Sequence, residues 1–373
     1  MRLILSPVGT SILTNQAGEQ SRMLRDYANA SRQETPDKVI QLTEGLKAKA
    51  KEKLATAAVN ELRQASAELN GILGLYDGTL PTNSNDMQVL IATDTYQGQT
   101  AADLIADFLR RYFPNTQIYI PPGLNTNSKA DFIEGIKELL NWCDETLPGY
   151  RADGTEIIFN LTGGFKSLQG YLNTIGMFYA DRIAYIFEAG QELITIPRLP
   201  VSLEQALFEE NASLFLRLSQ ASAVNGLAQE ELSAIPEVML DCVEGRCVLS
   251  TWGTLAWNNV KQDVLSAQLI ALPRIIYEDS FKKDFRSHTQ AEEKVKLQEA
   301  IAKIACILHA NNGDTASLKG GQAGGLLYDK FSGKNSHLGH FRLGQGPRVS
   351  CEAKTGTLLL RHFGPHDYVN NNP

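Results

Sequence analysis

Long hydrophobic runs are missing from this sequence of 373 residues. None approaches the ~20 apolar residues that span a bilayer, and residues 1–7 lack the basic-then-apolar pattern of a secretory signal. The hydrophobic fraction of 43% and the charged fraction of 21% are ordinary for a globular protein. We therefore expect a cytoplasmic protein without a membrane partner, long enough for two or three domains.

Cysteine is also scarce. The five cysteines are scattered and odd in number, which argues against a disulfide framework. Cys242 and Cys247 fall within one apparent hairpin, but no second Cys or His pair lies near them in sequence to complete a zinc site. The pattern predicts reduced thiols, and we expect neither a metal nor another cofactor.

Neither a P-loop nor a G-x-G-x-x-G pattern is present. The first half of the chain instead centres on Ile157–Ser167 (I-I-F-N-L-T-G-G-F-K-S), where a strand-forming run gives way to a polar turn. The spacing over Leu168–Ala180 is helical. A Gly-Gly turn before a helix exposes backbone N–H groups at the positive end of the helix dipole, and Lys166 adds a charge. This pattern favours an anion site. The alternative, which is equally compatible with the pattern, is a tight strand-to-helix turn that happens to carry a lysine.

Two similar turns precede this one. Gly9–Asn15 follows a short strand at Arg2–Leu5, and Thr93–Gln99 follows a buried strand at Gln88–Ala92. Strands alternating with helices predict a parallel, doubly wound α/β sheet over about 200 residues, and its carboxyl edge is where ligands bind. The sequence therefore predicts a nucleotide-like site there. The other predicted elements of this region are helical stretches at Thr35–Asn70, Ala101–Phe113 and Ala130–Leu147, and strands at Gln117–Ile120, Arg182–Phe187 and Leu193–Pro197.

These three turns resemble the ligand-facing loops of CRISPR-associated Rossmann-like (CARF) sensor domains: S-P-V-G-T-S-I-L-T-N at 6–15, T-D-T-Y-Q-G at 93–98 and N-L-T-G-G-F-K-S at 160–167. The resemblance covers residues 1–200. It implies a homodimer that binds a cyclic oligoadenylate, most often cyclic tetra-adenylate, in a shared pocket. The pocket residues that it implies are Thr10, Ser11, Asn15, Thr95, Gln97, Thr162, Gly163, Gly164 and Lys166.

Histidine is absent from the first 287 residues, and all six histidines lie in the last hundred. Residues 273–373 carry 14 Lys+Arg against 10 Asp+Glu, whereas the preceding residues carry 21 against 32. An acidic body with a mildly basic, His-rich end indicates two tasks in one chain, the second involving a polyanion.

Between the first 200 residues and the last hundred, the sequence of residues 201–271 predicts a connector. It has helices at Leu207–Leu218 and Leu227–Leu240 and a hairpin at Asp241–Trp257, with Trp252 and Trp257 as packing residues.

The last region, 272–373, predicts a small α+β module. A strand at Arg274–Tyr277 and helices at Asp279–Ser287 and Ala291–His309 precede a Gly-rich loop at 320–325, and then come antiparallel strands at Gly339–Leu343, Pro347–Ala353 and Leu358–Phe363. Alternation puts His340 and Arg342 on one strand face. If the strands pair in order, His340, Arg342, Arg348, His366 and Tyr368 cluster. A solvated face with incidental histidines is the alternative.

This module resembles RelE-type toxins, which are ribosome-dependent mRNA endoribonucleases. The resemblance runs from I-I-Y-E-D-S-F-K-K-D-F-R at 275–286 through L-K-G at 318–320 to G-H-F-R-L, G-P-R-V-S and the ending H-F-G-P-H-D-Y-V-N-N-N-P. In that family, basic residues at the places of His340, Arg342, Arg348 and His366 line the mRNA, and a Tyr near the end takes part. His340 stands where lysine is common.

Cleavage of this kind needs a base for the 2′-OH, cations for the developing phosphorane charge and an acid for the leaving 5′-oxygen. We assign the base role to His340, charge stabilisation to Arg342 and Arg348, and the acid role to His366. Tyr368 would stack on or orient a nucleobase. A histidine's unperturbed pKa near 6.5 allows the two histidines to exchange roles.

Together the two resemblances imply a cyclic-oligoadenylate-activated, metal-independent endoribonuclease that acts on the ribosome and mRNA in CRISPR antiviral defence. One alternative is a ligand-responsive transcription regulator, although the acidic balance before residue 273 weighs against duplex DNA as a partner. The other alternative is an enzyme that degrades the cyclic oligoadenylate ring and uses the last module only as a scaffold.

Overall fold

The computed structural model describes residues 1–187, 192–220, 224–225, 229–319, 326–344 and 346–373. These residues form two compact units, Met1–Val201 and Ser202–Pro373. The chain is α/β, with a mixed six-stranded sheet in the first unit and sheets of five and three strands in the second. Within the described ranges, no helix is both long and apolar enough to cross a membrane.

The first unit is built on a sheet with the order β3-β2-β1-β4-β5-β6. Its strands are β1 (Arg2–Pro7), β2 (Met87–Ile91), β3 (Thr116–Tyr119), β4 (Glu156–Asn160), β5 (Arg182–Ile186) and β6 (Leu193–Pro197). The first five run parallel, and β6 is an antiparallel edge strand. Consecutive β1 residues Leu3, Ile4 and Leu5 are fully buried, so the sheet is covered on both faces. This strand order places a topological switch point between β1 and β4.

Among the described residues of this unit, the α-helices are α1 (Ser11–Thr14), α2 (Ser21–Asp26), α3 (Asp37–Thr56), α4 (Val59–Ala65), α5 (Ala67–Leu75), α6 (Tyr96–Leu109), α7 (Lys129–Ala152) and α8 (Lys166–Tyr179). A 3-10 turn lies at Gly18–Gln20.

The helical stretch predicted over Thr35–Asn70 is divided into α3, α4 and the start of α5. Ala57 and Ala58 adopt extended backbone after α3, and Ser66 is extended between the next two helices. The Ser66 hydroxyl accepts a hydrogen bond from Leu69 N–H, which caps the N-terminus of α5. Pro36 is the N-cap of α3 and precedes its first helical residue. The breaks matter because the helix that follows them, α5, carries Glu68, which contacts the turns at the sheet edge.

The second unit contains strands β7 (Val224–Asn225), β8 (Leu240–Val243), β9 (Arg246–Leu249), β10 (Ile275–Tyr277), β11 (Asp329–Lys330), β12 (Leu338–Arg342), β13 (Arg348–Lys354) and β14 (Thr357–Gly364). Its helices are α9 (Gln205–Glu210), α10 (Ala212–Leu218), α11 (Gln229–Leu232), α12 (Thr251–Ala267), α13 (Asp279–Ser287), α14 (Ala291–Ala310) and α15 (His366–Asn371). Short 3-10 turns lie at Glu237–Met239, Thr315–Lys319 and Gly333–Asn335. The predicted loop at 320–325 lies outside the described residues.

The five-stranded sheet has the order β10-β14-β13-β12-β11, with β10 parallel to β14 and the other pairs antiparallel. One hydrophobic core extends from Phe208 to Phe363, so residues of the predicted connector and of the last module share it. Trp257 is buried and its ring stacks on Phe215 at 5.5 Å, in agreement with the packing role predicted for it. Trp252 lies in α12 as well.

Within the predicted connector, two helix predictions need correction. The helix at Leu207–Leu218 is split at Asn211 into α9 and α10. The helix predicted over Leu227–Leu240 retains only α11, with residues 227–228 outside the described ranges. Pro236, which has extended backbone, separates α11 from the strand that follows.

The predicted reduced state of Cys242 and Cys247 is wrong, because these two cysteines form a disulfide. They lie directly opposite each other on β8 and β9, and their Cα atoms are 4.2 Å apart. The hairpin turns at Glu244 and Gly245, which both have positive φ, and this tight turn sets the register that brings the two thiols together. The other three cysteines are free, and two of them are fully buried.

Candidate functional site

In the first unit, the three polar turns lie side by side at the carboxyl edge of the sheet. Strand β1 pairs in parallel with β2 on one side and with β4 on the other. The turns after these strands therefore meet at one edge, as the sequence predicts, and two of them flank the switch point. This edge is the region in which a ligand of the first unit is expected.

The backbone N–H groups predicted to be bare at this edge are occupied by a protein carboxylate. Glu68 on α5 is fully buried, and its Oε1 accepts hydrogen bonds from Gly9 N–H (2.8 Å) and Gly164 N–H (3.2 Å). Its Oε2 accepts from the hydroxyls of Ser66 (2.6 Å) and Ser11 (3.2 Å). The nest that would suit a phosphate thus already holds an anion of the chain itself. The expectation that Gly9 and Gly164 offer free donors is corrected accordingly.

Close packing against Glu68 accounts for the paired glycines. A Cβ on Gly163 would lie 2.2 Å from Glu68 Oε1, so no larger residue fits there. Gly164 has φ +90°, and a Cβ on it would lie 2.9 Å from Pro7 Cβ. Both positions therefore require glycine for the internal structure of the edge, independently of any ligand.

Of the predicted pocket residues, Lys166 and Thr10 have side chains that the internal structure leaves available to a ligand. Lys166 is exposed at the first residue of α8, and Thr10 is half-buried before α1, where its side chain makes no cap hydrogen bond. Thr162 Oγ1 is buried and has no hydrogen-bond partner within the described part of the chain. Asn15 is exposed and donates to Gln64 O at 3.1 Å.

The two predicted residues on the β2 turn are turned inward. Thr95 is buried, accepts from Gly98 N–H at 3.1 Å as the N-cap of α6, and lies 3.0 Å from the Thr93 hydroxyl. Gln97 is buried and donates from Nε2 to Leu24 O at 2.8 Å. The structure gives both residues internal hydrogen bonds. Beside them opens a cleft of about 260 Å³ whose lining includes Arg32, Lys47, Asp94, Thr95 and Asp103.

In the second unit, the strand register and the hydrogen bonds of the last helix bring four of the five predicted catalytic residues together. Arg342 on β12 lies opposite Arg348 on β13, and His340 lies opposite Ser350. Burial lowers the pKa of His340 from its ordinary 6.5, and the neighbouring charges of Arg348, Arg342 and His366 lower it further, while Asp329 opposes them. This cationic environment favours the neutral imidazole of His340.

A chain of hydrogen bonds links Arg348 to the last helix. Arg348 is 6% exposed, and its Nη1 donates to Asn370 Oδ1 at 2.9 Å. The Asn370 amide nitrogen lies 3.1 Å from His366 Nε2, and His366 Nδ1 lies 2.7 Å from Asp367 Oδ1. Since Asn370 accepts through its oxygen, it donates through its nitrogen, so His366 Nε2 is an acceptor in this arrangement. His366 then carries its proton on Nδ1, facing Asp367.

Tyr368 belongs to a second group of side chains beside this cluster. Its hydroxyl donates to Asp284 Oδ1 at 3.0 Å and lies 3.2 Å from His362 Nδ1. Its ring meets the His362 ring edge-on at 5.7 Å. Burial, followed by the hydrogen bond to Asp284, raises the pKa of the Tyr368 hydroxyl. Tyr368 is 39% exposed, so its ring retains an open face.

Sequence reasoning missed Asp284, Ser350 and His362. Strict alternation along β14, starting from the buried Leu358 and Leu360, would point His362 into the core. A β-bulge between the Ser350 and Cys351 pairings instead places Leu360 and Phe363 both in the core and opposes His362 to Ser350. Nothing in the sequence marks that bulge.

Within the ranges that the structure describes, no group of three or more His, Cys, Asp or Glu side chains is arranged to hold a metal ion. The imidazoles and guanidinium groups of the second unit can supply proton transfer and positive charge.

Residues 63–199 match the family model of a CRISPR-associated protein (Cas_APE2256). The matched segment begins just before Glu68 and includes the turns after β2 and β4, so it contains most of the sheet edge described above. The similarity supports an association with CRISPR systems and a role in CRISPR defence.

Proposed function

We propose that this protein is a CRISPR-defence endoribonuclease that a cyclic oligoadenylate activates. The observation that carries the proposal is the cluster of His340, Arg342, Arg348 and His366, which joins β12, β13 and α15. A second support is the match of the first unit to a CRISPR-associated family. The resemblances to CARF sensors and RelE-type toxins supply the ligand class and the substrate class.

The sensor of the proposal is a homodimer that binds cyclic tetra-adenylate, our first choice of ring, at the sheet edge. A two-fold symmetric ring would be met by two copies of the same residues. Because Glu68 occupies the N–H groups of Gly9 and Gly164, the phosphates would contact Lys166 and the N-terminus of α8 instead. Thr10, whose side chain makes no cap hydrogen bond, would hydrogen-bond the ring.

The effector of the proposal cuts mRNA on the ribosome by attack of the RNA's own 2′-OH. His340 takes the 2′-OH proton, since its cationic surroundings favour the neutral imidazole. Arg342 and Arg348 stabilise the negative charge that develops on the phosphorane. A second histidine, in its protonated form, donates a proton to the leaving 5′-oxygen. The sequence predicts His366 in this role. Tyr368 offers its exposed ring face to a nucleobase.

Activation requires that the ring bind the active arrangement of the protein more tightly than the resting one. Arg348 is buried and held by Asn370 in this structure. We therefore expect the active arrangement to expose more of this guanidinium to the RNA.

Toeprinting on translating ribosomes tests the proposal, with each of a panel of cyclic oligoadenylates added in turn. Wild-type protein should cut mRNA only when the correct ring is present. Arg342→Ala should abolish cleavage and leave ring binding intact by calorimetry. Lys166→Ala should weaken ring binding, and cleavage should fall only as a consequence.

Two results would contradict the proposal. One is intact mRNA with every ring, and the other is the absence of any heat of binding. Chromatography of the ring after incubation would show the alternative reading, an enzyme that degrades it.

A further inference from the structure

His362 is placed on the same outward row as His340. Directly opposed residues on paired strands point to the same face of the sheet, and the register opposes His340 to Ser350 and Ser350 to His362. Neighbouring strands lie about 4.8 Å apart, so the backbones at His340 and His362 are separated by about 10 Å. The two imidazoles are therefore near enough for one phosphodiester to contact both.

The hydrogen bonds of His362 determine which ring nitrogen carries the proton. Nδ1 lies 3.1 Å from Asp284 Oδ2 and 3.2 Å from the Tyr368 hydroxyl. The carboxylate can only accept, and the Tyr368 hydroxyl already gives its hydrogen to Asp284 Oδ1. Both neighbours of Nδ1 are therefore acceptors, so Nδ1 holds a hydrogen and Nε2 is the nitrogen left for exchange with a substrate.

Asp284 is itself fixed by three donors. Besides His362 and Tyr368, the backbone N–H of Phe363 donates to Oδ2 at 3.1 Å. The Asp284 and His362 side chains are only 14% and 20% exposed. A carboxylate held against Nδ1 orients an imidazole and stabilises the imidazolium that forms when Nε2 is protonated, as in the Asp-His pair of a serine protease.

The other two histidines are less suited to donate a proton. His340 lies among Arg342, Arg348 and His366, which oppose a further positive charge. His366 Nε2 accepts from Asn370, whose orientation is fixed by Arg348. The proposed reaction therefore has a base and two cationic groups, but the cluster of His340, Arg342, Arg348 and His366 offers no imidazole N–H that is free to donate to the leaving oxygen.

We propose that His362 is the general acid of this ribonuclease site and that Asp284 and Tyr368 are its positioning residues. This inference rests on the proposed function and replaces His366 as the donor. His340 removes the 2′-OH proton, the 2′-oxygen forms a bond to phosphorus, the bond from phosphorus to the 5′-oxygen breaks, and His362 Nε2–H protonates that oxygen. The products are a 2′,3′-cyclic phosphate and a 5′-hydroxyl.

Ser350 lies between the two histidines in this row. It is fully buried, and its hydroxyl has no hydrogen-bond partner among the residues that the structure describes. The row thus retains an unused polar group midway between the proposed base and the proposed acid.

The test compares two mRNA substrates on ribosomes, with the full-length protein and cyclic tetra-adenylate. One substrate has the natural 5′-oxygen at the cleaved bond, and the other has a bridging sulfur there, which leaves without protonation. His362→Asn keeps a donor toward Asp284 and removes Nε2. We expect it to slow cleavage of the oxygen substrate by about 10²–10⁴-fold and to cut the sulfur substrate at nearly the wild-type rate.

Three further variants complete the design. Asp284→Asn should slow cleavage of the oxygen substrate, and its cleavage of the sulfur substrate should be close to the wild-type rate. The reason is that Asp284 acts on the reaction by orienting His362. His309→Gln, on the exposed end of α14, is the matched histidine control and should leave both rates unchanged. His340→Gln should remain slow with both substrates, since a missing base is not relieved by a better leaving group.

The outcomes separate the inference from the function on which it rests. Full activity of His362→Asn on the oxygen substrate would overturn the inference alone. A defect in both His362→Asn and His362→Gln that persists with the sulfur substrate would also overturn it, because a purely structural role predicts that result. Absence of cleavage by the wild-type protein under every condition would overturn the proposed function and this inference with it.

Discussion

At the residue scale, the sheet edge of the first unit is organised by a buried carboxylate. Glu68 is 59 positions from Gly9 and 96 from Gly164, yet it binds both backbone N–H groups. The sequence identifies the turns, because glycines and polar residues after a strand are local signals. It could not identify Glu68, because a glutamate on an amphipathic helix reads as a surface residue until the fold brings these segments together.

We predict that Glu68→Ala destabilises the first unit. The substitution removes the acceptor of two buried backbone N–H groups, and each orphaned group costs about 1–3 kcal/mol. The free energy of unfolding from urea denaturation should fall by that amount for each group. Glu52→Ala on the exposed side of α3 is the control and should change stability little. Equal stability of the two variants would contradict the role given to Glu68.

His340 should contribute to the pH dependence of stability. Its folded pKa lies below 6.5, first because of burial and then because of Arg348, so the unfolded chain takes up the proton more readily. The stabilisation is complete above pH 6.5 and is lost as the pH falls through the folded pKa. The difference in unfolding free energy between wild type and His340→Gln should therefore shrink from pH 7.5 to pH 5. Urea denaturation at each pH measures this difference, with His309→Gln as the control. A difference that stays constant with pH would contradict the prediction.

At the scale of elements, the sequence predicted most strands and several helices, and it failed where tertiary structure overrides local pattern. Helix α13 has the predicted bounds Asp279–Ser287, because its N-terminal and C-terminal signals are local. The division of 35–70 into three helices and the bulge in β14 were missed, since neither has a glycine or proline to mark it. The bulge alone decides whether His362 faces the core or the candidate site.

The hairpin of β8 and β9 yields a simple covalent prediction. Protein purified without reductant, denatured and alkylated with iodoacetamide should gain three carbamidomethyl groups, because three cysteines are free. Prior reduction should raise the number to five, the total in the chain. Cys242→Ser should show four without reduction, since it releases Cys247. Five labels on the unreduced wild type would show that Cys242 and Cys247 are not joined.

At the scale of the whole molecule, the chain divides after Val201. The 202–272 segment contributes to the core of the second unit through residues such as Phe215 and Trp257. Gln298 on α14 is fully buried, donates to Leu265 O and Gln268 O, and accepts from Ile270 N–H. This amide therefore binds α14 to the end of α12 and the residues that follow it.

We predict that the fragment 202–373 folds when expressed alone and that the fragment 272–373 does not. The shorter fragment exposes the apolar face of α14 to water and loses the three hydrogen bonds of the Gln298 amide to residues 265–270, each worth about 0.5–1.5 kcal/mol. Circular dichroism melting should give a cooperative transition only for the longer fragment. Two equally cooperative transitions would show that the module from residue 272 is self-sufficient.

The shared core also bears on how such a chain can be rearranged by evolution. A recombination breakpoint near residue 202 would pass on a complete folding unit, whereas a breakpoint near 272 would pass on the proposed catalytic surface without the helices that support it. Gene fusions that inherit the second unit should therefore carry its leading seventy residues along with the rest, whatever domain precedes it.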